Sequence, residues 1–282
     1  MLAEAGPFLA VDVGGSSVKH ALVMDGQLEA QGRDVVAADL DGLVAQLRRI
    51  HDEAAAPAWG LCIAGLVEPE RGAVRYASNL PLRETPLVEL LPRPDVFAND
   101  LVAATVGEAE GGTLALLQAG TGIAGRCAIA GRVDARPYAG EVGHLRFRRD
   151  GLRCRCGQDG CAESYGAWGG ILDRHAAAGR PEPTPASLFE AAEGDEWARD
   201  VLDGALEAIG FAASALVAAC DPGTLRVGGG LAAAWGETLL AAIRESLATS
   251  VLPDVAAATI VEPARHGDAA ALLGLYRLSL EV

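Results

Sequence analysis

The stretch Leu9-Ala-Val-Asp12-Val-Gly14-Gly15-Ser16-Ser17-Val-Lys19-His-Ala-Leu-Val-Met-Asp25-Gly26-Gln-Leu28 aligns without a gap on Leu114-Ala-Leu-Leu-Gln-Ala-Gly120-Thr121-Gly122-Ile123-Ala-Gly-Arg126-Cys127-Ala-Ile-Ala-Gly131-Arg-Val133, at an offset of 105 residues. Gly15 falls on Gly120, Ser16 on Thr121, Val18 on Ile123 and Gly26 on Gly131. Each copy reads as strand, glycine turn, strand, turn, strand, with Asp25-Gly26 a strong hairpin signal. Two glycine-rich hairpins can resemble each other by chance. The alternative is a duplicated domain whose two copies each offer a glycine hairpin to one shared ligand.

Around these hairpins the chain alternates strands and helices, the pattern of an α/β protein. Leu40, Leu43, Val44, Leu47 and Ile50 recur at helical spacing, so residues 39–55 form an amphipathic helix. A strand follows over 59–67, and Val96-Phe97-Ala98 leads into Asn99-Asp100 and a helical stretch to Glu110. Pro181, Pro183 and Pro185 mark 179–187 as a loop. A long helix spans 195–219, and Leu225–Val227 is a strand running into Gly228-Gly229-Gly230 and a helix to about Leu247. A closing helix covers 268–280. The expected organisation is a smaller lobe over 1–110, with the segment 268–282 packing back on it, and a larger lobe over 111–267.

At 282 residues with 50% apolar and 22% charged side chains, the chain can bury a sizeable core. A net charge of −15 repels nucleic acid, anionic membranes and a long polyphosphate at long range, but leaves a compact nucleotide with Mg²⁺ compatible. The first thirteen residues lack a signal-peptide pattern, and the longest apolar run, Ile209 to Cys220, is too short to span a bilayer. A soluble, cytoplasmic protein is expected. Of six cysteines, Cys62, Cys127 and Cys220 are scattered in apolar contexts as small core residues, whereas Cys154, Cys156 and Cys161 cluster as metal ligands do.

Three constellations carry chemistry. In the first, Gly14-Gly15 can let backbone N–H groups approach a phosphate, with Ser16 and Lys19 as side-chain donors and Asp12 holding Mg²⁺ through water. An ordinary hairpin turn accounts for the same residues, and this is not a Walker loop. Gly120-Thr121-Gly122 repeats the turn, and Gly228-Gly229-Gly230 supplies a third loop suited to lie against an adenosine. In the second, Asp100 beside Asn99 suits a carboxylate accepting a proton from an alcohol during phosphoryl transfer, or a cap on the following helix; the roles are compatible. In the third, His144 with Cys154, Cys156 and Cys161 can complete a tetrahedral, structural Zn²⁺ site, the alternative being reduced free thiols. Glu141 and Glu163 flank these ligands, so the loop 144–161 would bring two carboxylates near each other.

Taken in order, these motifs resemble the bacterial ROK sugar kinases and repressors. The likeness rests on Asp12-x-Gly-Gly-Ser-x-x-Lys19, Asn99-Asp100, Gly120-Thr-Gly-Ile123, Ala139-Gly-Glu-Val-Gly-His144, Cys154-x-Cys-Gly-x-x-Gly-Cys161-x-Glu163 and Asp221-Pro-x-x-Leu-x-Val-Gly-Gly-Gly230. The resemblance implies a two-lobed, actin-like ATPase (ribonuclease H-like) fold with a zinc-binding loop, ATP with Mg²⁺, and a homodimer. It implies a sugar held by Asn99, Asp100, Glu141, His144 and Glu163, with Asp100 as catalytic base and Gly65, Ser78 and Asn79 lining the sugar from the smaller lobe. It also implies nucleotide contacts from Asp12, Gly14, Gly15, Ser16, Lys19, Gly120, Thr121, Gly122, Gly228, Gly229 and Gly230.

Six residues in four places depart from the family pattern: Ala64 before Gly65, Leu101-Val102 after the Asn-Asp pair, Arg126, and Pro137-Tyr138 ahead of Glu141. Arg126 reads as a solvated loop residue in preference to a phosphate contact, and Tyr138 is expected to narrow one wall of the sugar site. The leading function is an ATP-dependent hexose kinase with glucose as default substrate. An N-acetylated hexosamine, fructose or a cyclitol are alternatives, and a non-catalytic sugar-binding protein is a further one. A repressor would need a helix-turn-helix domain ahead of Asp12, where only eleven residues stand.

Overall fold

The computed structural model describes residues 6–77 and 79–280, so Ser78 lies outside the described residues. The chain divides into two compact units, one of Met1–Gly111, Gly131–Ala139 and Asp268–Val282, the other of Gly112–Ala130 and Gly140–Gly267. The segment 131–139, expected with the second unit, groups with the first.

The first unit contains β1 (Phe8–Val13), β2 (Ser17–Met24), β3 (Gln27–Val35), α1 (Leu40–Ala54), β4 (Ala58–Ile63), β5 (Leu66–Glu68), β6 (Ala73–Tyr76), β7 (Arg83–Thr85), β8 (Val96–Asn99) and α2 (Asp100–Ala109). The short β11 (Arg132–Val133) and the closing α9 (Ala270–Ser279) complete it. Its main sheet has the order β3-β2-β1-β4-β8, with β1 antiparallel to β2 and parallel to β4. All six residues of β1 are buried, as a strand covered on both faces must be. Leu43, Leu47 and Ile50 of α1 pack into one core with Leu9, Val11, Leu61 and Ile63. Asp39 begins that helix by accepting the Gly42 N–H at 2.7 Å.

The single strand expected over 59–67 is instead two. Gly65 takes φ = 145°, where a Cβ would stand 2.6 Å from the Tyr76 carbonyl oxygen, and the chain turns there into the separate β5-β6-β7 sheet. Glycines also set the approach of α2 to α9. A Cβ on Gly107 would lie 1.9 Å from the Ala270 carbonyl oxygen, and one on Gly274 1.7 Å from that of Ala103.

The second unit contains β9 (Leu114–Ala119), β10 (Ile123–Ile129), α3 (Glu163–Gly166), α4 (Trp168–Ala177), α5 (Pro185–Ala191), α6 (Glu196–Cys220), β12 (Thr224–Gly228), α7 (Gly230–Ser250, kinked at Gly236), α8 (Pro253–Ala258) and β13 (Ile260–Pro263). Strands run side by side as β10-β9-β12-β13, again an antiparallel hairpin joined to parallel strands. The loop expected to 187 ends earlier. Pro185 is the first residue of α5, capped by reciprocal bonds between Thr184 and Ser187, because proline's missing N–H costs nothing at that position. Helix α6 is 25 residues long and has the length and apolarity of a membrane span, which exceeds the apolar run read from sequence. Its Val201, Leu202, Ile209, Leu216 and Val217 are buried in the core of this unit with Leu117, Ile123 and Ile243.

The α2–α9 contact leaves no room for a methyl group. Gly274→Ala should destabilise the protein by about 1–3 kcal/mol, as overpacking does. Urea unfolding would show this as a lower midpoint at unchanged slope, and an unchanged midpoint would mean that the two helices part without cost.

Candidate functional site

In the first unit the parallel strands β1, β4 and β8 deliver polar groups to one sheet edge, the side where open α/β sheets place ligands. Asp12 lies near the end of β1, 6% exposed, in register with Lys19 on β2 and Cys62 on β4. Lys19 Nζ is 3.4 Å from Asp12 Oδ2, and the Cys62 thiol donates to Asp12 Oδ1 at 3.5 Å. Burial raises the Asp12 carboxyl above its ordinary value, with the Lys19 ammonium pulling back.

Asn99 ends β8 and caps α2: its Oδ1 accepts the Val102 N–H at 3.1 Å, while its Nδ2 donates to the Gly65 carbonyl at 2.9 Å and to Asp100 Oδ1 at 2.8 Å. Both amide hydrogens are therefore spent on orienting Gly65 and Asp100. Asp100 is pushed up from 3.8 to about 7, first by burial and then by the charge on Asp12, against backbone N–H bonds at the start of α2. A carboxylate that exchanges its proton near neutrality suits a general base. In the glycine turn, the Gly14 N–H donates to the Ser17 carbonyl at 2.9 Å, and Ser16 is exposed. Gly15 closely faces Asn79, whose Cβ would be 2.8 Å from a Cβ there. Gly65, Asn79, Asn99, Asp100 and Asp12 thus all belong to this unit. A groove of about 790 Å³ along the outer side of β8 reaches Asn99, but Asp100 and Gly65 do not line it.

In the second unit His144 ends a single 3-10 turn, Val142–His144. Its Nδ1 is 3.7 Å from Cys154 Sγ, and the thiols of Cys156 and Cys161 are 3.6 Å apart. All four ligand atoms lie within 4.8 Å of one another. Metal–sulfur bonds near 2.3 Å place tetrahedral ligands about 3.8 Å apart, so this set fits a closed zinc-like site. The turn that closes it needs Gly160 at φ = 80°, where a Cβ would collide with the Arg148 carbonyl at 1.7 Å.

The other imidazole nitrogen, Nε2, faces Glu141 Oε2 at 3.9 Å and Glu163 Oε1 at 3.8 Å. Those gaps are too long for hydrogen bonds and leave polar room for a third party. Glu163 is fixed by the Ile123 N–H, which donates to its Oε2 at 3.1 Å, and a Cβ on Gly122 would stand 2.9 Å from that oxygen. Burial raises the Glu141 carboxyl, with His144 and Arg126 opposing. The Gly120-Thr121-Gly122 turn and the Gly228-Gly229-Gly230 loop also meet here: a Cβ on Gly120 would be 3.4 Å from the Gly230 nitrogen, and Gly229, at φ = 94°, has no room for one beside Ala119.

One sequence expectation changes. Arg126 is not a solvated loop residue: it sits in the middle of β10 opposite Leu116, 4% exposed, because the strand runs longer than the glycine turn suggested. Tyr138 is 60% exposed, its hydroxyl 3.4 Å from Arg75 Nη1. One residue was missed. Asp268, at the start of the closing helical segment, lies 3.0 Å from Lys19 Nζ and pairs with Arg33, 235 positions away. No local pattern marks such a distant partner.

Residues 8–282 match the ROK family. A glucokinase of Halalkalibacterium halodurans is 28% identical, covering 95% of this chain and 93% of its own. An N-acetyl-D-glucosamine kinase of Escherichia coli O157:H7 is 30% identical over 78% of this chain and 80% of its own. Among solved structures, a ROK family glucokinase from Streptomyces griseus in complex with glucose and AMPPNP superposes with a TM-score of 0.77 at 26% identity, over 98% of this chain and all of that one.

The four-ligand geometry predicts one tightly held zinc per chain. Metal analysis of Cys161→Ser should show it lost or much weakened, and full occupancy in that variant would remove Cys161 from the ligand set.

Proposed function

The chain belongs to the ROK family, and we propose that it transfers the γ-phosphoryl group of ATP to a hydroxyl of a hexose, with glucose as the default substrate. The observation that carries this reading is the slot beside His144 Nε2, bordered by two carboxylates that reach toward the imidazole without bonding to it. Neighbouring hydroxyls of a pyranose both donate and accept, which is what a carboxylate–imidazole–carboxylate row requires.

In this reading His144, held through Nδ1 by zinc together with Cys154, Cys156 and Cys161, turns Nε2 in a fixed direction. Glu141 and Glu163 accept sugar hydroxyls, and Glu163 is kept in place by the Ile123 N–H. In the first unit Asp100 takes the proton of the attacking hydroxyl, while Asn99 holds Asp100 and Gly65 in position through its two amide hydrogens. The glycine turns at 14–15, 120–122 and 228–230, with Ser16 and Lys19, receive the nucleotide. Asp12 would hold the water shell of the Mg²⁺ bound with ATP, an ion that would neutralise charge on the phosphates.

A second reading keeps the chemistry and changes the sugar. An N-acetyl-D-glucosamine kinase is about as identical to this chain as the glucokinase, 30% against 28%, though over 78% of the chain against 95%, so an N-acetylated hexosamine is the alternative substrate. ATP consumption measured against hexoses, N-acetylhexosamines, fructose and cyclitols decides between them. Turnover with glucose well above all others supports the first reading, and no turnover with any sugar refutes both.

Asp100 supplies a sharper test. Its ionised form is the active one, so kcat/KM should fall about tenfold per pH unit below an inflection near 7 and level off above it. Asp100→Asn should lower kcat by about 10²-fold or more and abolish that acid limb. Near-normal turnover in the variant would remove Asp100 from proton transfer.

A further inference from the structure

The ammonium of Lys19 is shared between two carboxylates from opposite ends of the chain. It lies 3.4 Å from Asp12 and 3.0 Å from Asp268. The two acids stand in different surroundings: the Asp12 side chain is 8% exposed and that of Asp268 is 69% exposed. A buried carboxylate has lost its hydration and gains most from a counter-charge, whereas an exposed one gains little. On that ground alone Lys19 should settle on Asp12, yet its shorter contact is with Asp268. The turn Gly267–Ala269 ahead of α9 presents that carboxylate to the lysine, and Arg33 on β3 pairs with its other oxygen.

The geometry points to Asp268 as a positioning residue for Mg²⁺–nucleotide binding, drawing Lys19 off Asp12 so that the ammonium does not occupy the carboxylate oxygens that a hydrated metal needs. The inference rests on the kinase reading above. Asp268 would touch neither sugar nor phosphate; it acts through Lys19. With Asp268 neutral, Lys19 would close onto Asp12, and the incoming Mg²⁺ would have to displace it. The residue lies outside every motif by which the nucleotide loops were recognised, and only the fold brings it to β1 and β2.

The test is calorimetric binding of Mg²⁺ with a non-hydrolysable ATP analogue to the full chain, for wild type, Asp268→Asn, Asp268→Glu and Arg33→Gln. Because Asp268 is exposed, the loss is that of a surface pair: Asp268→Asn should weaken Mg²⁺–nucleotide binding about three- to five-fold. The apparent KM for Mg²⁺–ATP should rise in parallel while the KM for sugar stays the same. Asp268→Glu should restore most of the affinity. Arg33→Gln keeps the Lys19–Asp268 pair and should change it little. Wild-type or tighter binding in Asp268→Asn overturns the proposal. So does an equal loss in Arg33→Gln, which would make Asp268 only a staple between β3 and α9. Asp268→Ser carries the same comparison should the Asn variant fold poorly. Wild-type protein that binds no Mg²⁺–nucleotide would refute the kinase reading itself, and this proposal with it.

Discussion

Two carboxylates, Asp12 and Asp100, share one poorly hydrated edge of the first sheet, and what that edge can do depends on their loss of water and on the charge that Asp12 imposes on Asp100. The charge on Asp12 raises the proton affinity of Asp100, and burial raises that of both. The outcome is asymmetric because their partners differ. Asp12 has an ammonium and a thiol within reach, whereas Asp100 meets N–H donors at the head of its own helix and the Asn99 amide. The Lys19 ammonium opposes the effect of burial on Asp12. Asp100 exchanges a proton near neutrality and suits proton transfer. Similar side chains acquire separate roles from their surroundings alone.

The second unit solves a different problem, that of aiming neutral donors and acceptors at a polar ligand. An imidazole on a short 3-10 turn would ordinarily rotate. Here one nitrogen faces three thiols and the other faces two carboxylates, so both ring edges are committed. The thiol loop closes only because Gly160 adopts a left-handed conformation, and Glu163 reaches the Ile123 N–H only because Gly122 leaves room for its oxygen. Gly122 therefore has a packing reason that is independent of any phosphate. Its presence in a glycine turn was weaker evidence for nucleotide binding than the turn pattern suggested.

Sequence was most legible where a local rule sufficed. Asp39 and Asp195 cap α1 and α6 within a residue of the expected starts, since a short acceptor before an apolar period has one economical use. The spacing of Cys154, Cys156 and Cys161 shows a metal-like cluster in one dimension because all its ligands except His144 are local. Where tertiary contacts decide, the reading stopped short. Gly65 breaks an apolar run that looked continuous, for a steric reason supplied by Tyr76 and Ala77. Arg126 looked like a loop residue because a buried arginine in a strand is rare, and its surroundings come from elsewhere in the fold. Asp268 had no neighbour in sequence to announce it.

The repeated hairpin shows how one supersecondary unit came to serve two ends. In the first copy Val13 pairs with Val18 across a four-residue turn, and in the second Ala119 pairs with Ile123 across three residues. The gapless alignment of the two copies therefore hides a register shift of one residue, and such a shift turns side chains to the opposite face of a sheet. In the first copy it leaves Asp12 opposite Lys19, a charged pair at the sheet's functional edge. In the second it sets Leu117 opposite Gly125, and Gly125 lies beneath Leu216 of α6, whose Cδ2 would be 2.5 Å from a Cβ there. One hairpin thus keeps its charge for a ligand, while the other gives that position to anchoring the longest helix of its unit. The shorter turn also starts β10 at Ile123, whose N–H holds Glu163. A one-residue change in turn length thus separates a hairpin with a charged pair from one that carries a core helix and fixes the Glu163 carboxylate.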